Sequence, residues 1–425
     1  VHRGFQTVVL PALEKPLRDS GCISCGRCID VCPTGALQER AHGHKAVPLD
    51  TDKTETTCAF CGAGCHLEAE TKGNTIVRVK GDPKQAENAG IICGMGKFGF
   101  DMSLGEDRMK EALVRKAGRL EAASYEETIK AAAEAIRKAG YDKTAFALSP
   151  RMTNEEAAAV KGLAEAMGAC CFSYDSMESG LALVAGKDAS TANGADLDKA
   201  DTLVAYGPVL SLAFRAKLRL AKKRGAKVIA VMPEDMMDQD TGFATKVYQV
   251  ANDTLFLQGA VKAAAEKGGS DLAGYPALME SLKDVAVTEE ARELALAYQK
   301  GEAVVSLLPQ GTLTKEGAVL IADLAALTGQ LSGEGKGIIQ IRKKNNTQGL
   351  VELGVTEGAQ AAAGKKAVLV FGEDPADLQA DQDAYVLVSD VYRTAACEKA
   401  DGVIPATWLF PLKAALPTAW VITIP

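Results

Sequence analysis

Long apolar runs are missing from this 425-residue chain. Its most hydrophobic windows, Val228 to Met232 and Ala303 to Leu308, fall far short of the 18 or more residues a membrane helix needs, so no helical membrane span is expected. A surplus of basic charge is missing as well: 48 Lys plus Arg against 55 Asp plus Glu leaves a net charge of -7, which gives no electrostatic footprint for nucleic acid. No charged, apolar, small-residue leader follows Val1, so there is no signal peptide to read. The expected compartment is the cytoplasm, with any preceding signal not assessable because the start looks incomplete. Cysteine is scarce beyond residue 93, where only Cys170, Cys171 and Cys397 occur. What remains is an ordinary globular composition, 47% apolar and 24% charged, long enough for about three domains.

The other eight of the 11 cysteines fall in two tight clusters, a distribution that points to metal. Cys22, Cys25, Cys28 and Cys32, followed by Pro33, read C-x2-C-x2-C-x3-C-P, the bacterial ferredoxin pattern for a cubane 4Fe-4S cluster. Gly26 and Gly35 let the backbone approach the inorganic sulfides. Zinc sites usually pair C-x2-C units across a long gap, which this segment does not do. The second group, Cys58, Cys61, Cys65 and Cys93, has spacing C-x2-C-x3-C-x27-C. Between its third and fourth members the sequence alternates apolar and polar residues around Gly73, as a hairpin that returns Cys93 to the others should. A radical S-adenosylmethionine site uses three cysteines in the reverse spacing and leaves one iron open, whereas here a fourth is present; a closed, electron-carrying cluster is the reading. Disulfide frameworks belong to small secreted domains. His66 follows Cys65 and reads as a solvated loop residue, and Cys170 with Cys171 as small buried hydrophobes.

From Tyr125 the chain alternates helices and strands: helix around EETIKAAAEAIRKAG, strand TAFALSP, helix 154–167, strand 201–208, basic helix RAKLRLAKKRG, strand 226–233, helix DTLFLQGAVKAAAEKG, strand 302–309, helix EGAVLIADLAALTG and strand 366–375. Such repetition predicts an α/β fold with doubly wound parallel-sheet domains, preceded by a ferredoxin-like segment and a small 4Fe-4S domain. The run RLAKKRG reads as the solvated face of a crossover helix. Tyr206-Gly207-Pro208 and Phe371-Gly372-Glu373-Asp374-Pro375 lie where such folds bind nucleotides, yet neither completes G-x-G-x-x-G, and tight turns explain them about as well.

Together the segments GCISCGRCIDVCPTGAL, TTCAFCGAGCHLEAE, ICGMGKFGFDM, LSPRMTNEEA, ALTGQLSGEGKGIIQIRKKNNTQGLVELG, GEDPADL and EKADGVIPATWLF resemble the molybdopterin oxidoreductase superfamily, including formate dehydrogenase alpha subunits and the large iron-sulfur subunit of NADH:quinone oxidoreductase. The resemblance implies a partial ferredoxin-like segment at 1–45, a 4Fe-4S domain at 46–110, a discontinuous α/β domain at 111–167 and 296–410, an inserted Rossmann-like domain at 168–295 and an atypical tail at 411–425. It also implies truncation at both ends. In two-cluster ferredoxins the fourth Cys of each motif ligates the other cluster. Either Cys32 therefore belongs to a cluster whose other thiolates are missing, or it is recruited to a lone cluster after rearrangement. One complete 4Fe-4S site and one or two partial sites follow.

The family's catalytic members carry Cys or selenocysteine followed by His after the helix 154–167, and those places fall at Ser173 and Tyr174. A family Lys two residues past the last cluster Cys is Met95, and a phosphate-binding Arg becomes Glu234 in Met232-Pro233-Glu234, although Asn345-Asn346-Thr347-Gln348-Gly349 is kept. These departures argue against a retained molybdopterin. The implied function is an electron-transfer subunit with other oxidoreductase subunits as partners, namely a flavin- and NADH-binding subunit and an iron-sulfur partner, and without catalysis by the chain alone. A formate dehydrogenase catalytic subunit with molybdenum or tungsten, with Cys170 or Cys171 as ligand, and a non-catalytic assembly subunit are the alternatives.

Overall fold

A computed structural model describes residues 4, 16, 17, 20, 22–39, 50–73, 75–175, 179–236, 240–268, 271–375 and 377–406. The tail at 411–425 and much of the segment at 1–45 lie outside the described residues.

The second cysteine cluster sits on a three-stranded antiparallel sheet, β1 (Asp52–Thr57), β2 (His66–Lys72) and β3 (Thr75–Gly81), in the order β1-β2-β3. Alternation buries Leu67 and Ala69 on one face of β2, and the register shift against β3 lets Ile76 and Val79, three residues apart, both join it. The β2–β3 hairpin turns at Gly73, whose φ of 58° is left-handed, and carries a register shift between Glu70 and Thr71. On this hairpin the carboxylate of Glu70 is buried between Arg78 and Lys80.

Two larger sheets follow, built from β4 (Ala112–Lys116), β5 (Arg119–Ala123), β6 (Thr144–Leu148), β7 (Cys170–Phe172), β8 (Thr202–Tyr206), β9 (Lys227–Pro233), β10 (Lys246–Val250), β11 (Val304–Pro309), β12 (Ser332–Gly333), β13 (Lys336–Ile341), β14 (Ala367–Phe371), β15 (Tyr385–Asp390) and β16 (Gly402–Pro405). The first is seven-stranded in the order β5-β4-β16-β15-β14-β6-β7; its β16-β15-β14-β6-β7 portion is parallel and the β4–β5 hairpin is antiparallel. The second is six-stranded in the order β10-β9-β8-β11-β13-β12, parallel except for β12. Strands β8 and β11 are buried throughout, because helices cover both faces of a doubly wound sheet. Helices Asp253–Ala265, Glu289–Lys300 and Lys315–Leu327 pack Ala260, Leu294 and Ile321 on one face, while helix Leu212–Lys223 packs Leu218 on the other. Helix Asn154–Met167 opens on a reciprocal capping box between Thr153 and Glu156 and closes at left-handed Gly168.

Strands β11 and β13 hydrogen-bond into the second sheet, and the chain re-enters the first sheet at β14; alternation alone does not say which sheet a strand joins. The run RLAKKRG is largely exposed, and the helix that carries it is tied down by specific pairs. Arg215 and Arg219 hold Asp240, Lys222 Nζ donates to the Ala244 carbonyl at 2.5 Å, and Arg224 pairs with Asp198. Lys217 is buried and donates to the carbonyls of Gly194 at 2.6 Å and Ala86 at 3.2 Å, tying the second sheet to the cysteine-bearing domain. Burial lowers its pKa, with the Asp198 carboxylate opposing that shift.

The retained Asn-Asn-Thr-Gln-Gly segment also has a structural role. Asn346 is buried, and its amide donates to the Met152 carbonyl at 2.9 Å and to Asn154 Oδ1 at 2.8 Å. A Cβ on Gly349 would lie 2.0 Å from Asn154 Oδ1. Gly349→Ala is therefore expected to cost about 1–3 kcal/mol by overpacking. Gly162→Ala, in an exposed helix interior with nothing within 4 Å, is expected to stabilise by about 0.5–1 kcal/mol. Thermal midpoints of the two variants moving in opposite directions would confirm this packing; a neutral Gly349→Ala would contradict it.

Candidate iron-sulfur site

Cys58 follows β1 directly and Cys65 precedes β2, so the antiparallel pairing of those strands brings the two together: the Cys58 N–H donates to the Cys65 carbonyl at 2.8 Å. Cys61 rides the intervening loop. That loop bends at left-handed Gly64, and the Gly62 N–H donates to the Arg342 carbonyl at 3.1 Å. A Cβ on Gly62 would meet that oxygen at 2.5 Å, so glycine is what lets the loop dock on the end of β13. Cys93 caps helix Gly94–Phe98, and a Cβ on Gly96 would lie 3.5 Å from Cys58 Sγ, in ordinary contact.

Asn88 delivers Cys93 to this position. It is buried; its side-chain oxygen accepts from the His66 N–H at 3.0 Å, and its amide donates to the carbonyls of His66 at 3.1 Å and Ile91 at 3.2 Å. The excursion between Cys65 and Cys93 is thus clamped to β2 just before the fourth cysteine. Sequence reading missed Asn88, since a lone Asn in a loop carries no spacing signal. His66 is half-buried at the start of β2, and its backbone is the anchor.

The four thiols influence one another. Burial pushes the Cys58 thiol up to about 12, and the neighbouring Cys61 and Cys93 sulfurs push in the same direction. Burial likewise raises Cys65, reinforced by Cys58, Cys61 and Cys93, and raises Cys61, which Cys93 reinforces and a hydrogen bond with Ser211 opposes. Thiols that resist ionisation by themselves, as Cys58, Cys61 and Cys65 do, suit a multivalent cationic centre, which removes both penalties when bound. Among the described residues no three Cys, His, Asp or Glu side chains converge on a single metal ion. Four cysteine thiols are the donor set of a 4Fe-4S cluster, so the residues present fit one.

The ferredoxin-type motif is differently placed. Cys22 and Cys28 are exposed, and Cys25 and Cys32 are half-buried. The loop turns at left-handed Ser24 and Gly26, and the Ser24 N–H donates to Cys22 Sγ at 3.3 Å. The Cys32 thiol is drawn down to about 7 by the Leu37 N–H first, then by the Thr34 hydroxyl, a backbone arrangement suited to a thiolate.

At the sheet edges where a pterin is expected, Ser173 is fully buried with its N–H on the Glu357 carbonyl, and the Tyr174 hydroxyl donates to the Leu378 carbonyl at 3.0 Å. Buried or committed hydroxyls do not fit a soft-metal ligand. Lys344 is held between Asp175 at 2.9 Å and Glu373 at 2.5 Å, and Arg342 faces Asp188 at 3.3 Å, beside a cavity of about 270 Å³. Met95 and Glu234 are exposed. Left-handed Gly207 and Gly372 pack against Thr312 and Ser149, which is the tight-turn reading of those strand ends. Cys170 and Cys171 lie half-buried on β7, so they are less buried than expected.

Residues 51–103 match the molybdopterin oxidoreductase Fe4S4 domain, residues 18–38 a 4Fe-4S binding domain and residues 108–255 the molybdopterin oxidoreductase domain. The chain carries the Fe4S4 and molybdopterin domains of the molybdopterin oxidoreductases. It is 25% identical over 422 residues to the NADPH-Fe(3+) oxidoreductase subunit alpha of Geobacter sulfurreducens, covering 88% of this chain and 49% of the relative. A putative formate dehydrogenase of Staphylococcus aureus is 24% identical over 421 residues, covering 80% and 42%. An NADH-quinone oxidoreductase subunit of Rhizobium meliloti is 34% identical over 155 residues, covering 36% and 18%. The chain thus spans at most about half the length of these relatives. Acetylene hydratase from Pelobacter acetylenicus shares the fold, with a TM-score of 0.65 at 16% identity over 83% of this chain and 63% of that one. No helix among the described residues is long and apolar enough to cross a membrane.

The thiol environments can be checked in the metal-free chain. With its thiol near 7, Cys32 should alkylate readily at pH 8 and lose reactivity as pH falls through 7, whereas Cys58, pushed up to about 12, and Cys65, also raised by burial, should stay largely thiol and slow at pH 8. Peptide mapping after timed iodoacetamide exposure reads this order; equal rates at Cys32 and Cys58 would refute the environments described.

Proposed function

We propose that this chain is an iron-sulfur electron-transfer component of a multisubunit NADH- or formate-linked oxidoreductase, built on a molybdopterin-type scaffold whose own metal chemistry is lost. The observation that carries the reading is the gathering of Cys58, Cys61, Cys65 and Cys93, two buried and two half-buried, on a scaffold where the family's metal-ligand places fall at a buried Ser173 and a committed Tyr174. Those four cysteines would hold one 4Fe-4S cluster, and Cys22, Cys25, Cys28 and Cys32 would serve ferredoxin-type sites. A cubane supplies reversible one-electron oxidation and reduction when bound. The chain's residues supply burial, thiolate ligation and N–H donors to sulfur, the levers that set a potential. A flavin- and NADH-binding subunit and an iron-sulfur acceptor would be the partners, in the cytoplasm.

A second reading, the catalytic subunit of a formate dehydrogenase, is favoured by the molybdopterin domain match and by the similarity to a putative formate dehydrogenase over 80% of this chain and 42% of that relative. Against it stand the neutralised cations of the cleft, since a phosphate-bearing pterin needs free donors and Lys344 and Arg342 already face carboxylates. Expression with molybdate and tungstate supplied separates the two. The electron-transfer reading expects iron and dithionite-reducible cluster spectra without molybdenum or tungsten; about one Mo or W per chain together with formate-dependent dye reduction would overturn it.

A further inference from the structure

The two cysteine motifs are pressed against each other. The Gly94 N–H, next to Cys93, donates to the Ile23 carbonyl, next to Cys22, at 3.0 Å. A Cβ on Gly94 would lie 3.1 Å from Ser24 Cβ, and one on Gly90 would lie 2.9 Å from the Arg27 guanidinium. At the centre of the contact is Lys97, four residues past Cys93 and only 1% exposed. Its stem fills the space under Gly26, where a Cβ would meet Lys97 Cε at 2.5 Å. Its ammonium donates to Asp30 Oδ1 at 2.7 Å and to the Val79 carbonyl at 2.7 Å. Asp30 lies between Cys28 and Cys32, and Val79 lies on β3 beneath the other site. A buried ammonium is tolerated only when paired, so one side chain ties the ferredoxin-type loop, through a charge, to the domain that holds the second set of thiols.

We propose that Lys97 is a positioning residue that fixes the Cys22–Cys32 loop on the Cys58, Cys61, Cys65 and Cys93 domain and so sets the separation of the two iron-sulfur sites. The proposal rests on the electron-transfer reading for its purpose, but the clamp is readable without it. The Lys97 side chain makes no hydrogen bond to a cysteine; it acts through Asp30 and Gly26. Left-handed Gly26 belongs to the same device, since any side chain there would displace the lysine stem.

The test uses the full chain, reconstituted anaerobically with iron and sulfide, in the forms Lys97→Met, Asp30→Asn and Lys97→Arg. Asp30→Asn keeps the lysine and its bond to Val79, so it is informative even where Lys97→Met folds poorly. In the unaltered chain, electron paramagnetic resonance of the fully reduced protein should show magnetic interaction between two centres. Asp30→Asn and Lys97→Met should weaken that interaction while the iron at the four-thiol site stays bound, and Lys97→Arg should restore it. In the metal-free chain, trypsin should cut after exposed Arg27 about tenfold faster in Asp30→Asn and Lys97→Met than in the unaltered or Lys97→Arg chain, because losing a buried partner frees the loop to open. Unchanged magnetic interaction and unchanged cleavage in both variants would overturn the clamp. Iron bound at both sites of the unaltered chain with no magnetic interaction, but with faster cleavage in the variants, would overturn the electron-transfer reading and the site-spacing role while leaving the loop contact standing.

Discussion

Four thiols gathered at one end of a small sheet, two buried and two half-buried, are an unfavourable arrangement by themselves, and the described residues around them are organised to make it possible. Burial raises Cys58, Cys61 and Cys65, and each sulfur that ionised would raise the others further. The penalty falls away only when a cationic centre joins the sulfurs, so the pocket behaves as half of a structure whose other half is iron and sulfide. Holding it open requires anchors outside the pocket. Asn88 pins the approach to Cys93 on the His66 backbone, Gly62 docks the central loop on Arg342, and Ser211 meets Cys61 from the end of a neighbouring helix.

Those anchors also explain why a small three-stranded sheet is found against a large α/β scaffold. Arg342 presents its carbonyl to Gly62 and its guanidinium to Asp188, and Lys217 reaches from the second sheet to the carbonyls of Ala86 and Gly194. Arg342, which seats the cysteine domain, therefore also lines the cavity beside Asp175. Lys344, Asp175 and Glu373 fill the adjoining space with a closed set of charges. The cations of this cleft thus already face carboxylates.

Much of this was legible in the sequence. The cysteine spacings named both motifs, and alternating apolar runs gave the strands β6, β8, β9, β11 and β14 together with the helices between them, because buried parallel strands and amphipathic helices leave periodic patterns. The hairpin about Gly73 was readable for the same reason. Sheet membership was not: β11 and β13 look like any other buried strands, and only pairing places them with β8. Nor were Asn88, Ser211 and Lys97 legible as parts of the site. Each acts through a single contact across a long stretch of chain, and such contacts have no period. The exposure of the run RLAKKRG was legible, but the partners of its charges were not, because charge in sequence does not reveal which carbonyls and carboxylates await it.

The central claim is that Cys58, Cys61, Cys65 and Cys93 hold one cubane within this chain. Iron counted per chain after anaerobic reconstitution, in the unaltered protein and in Cys61→Ala, tests it most directly. The account predicts that Cys61→Ala holds about four fewer irons while the secondary structure is unchanged; the same iron content in both would contradict it.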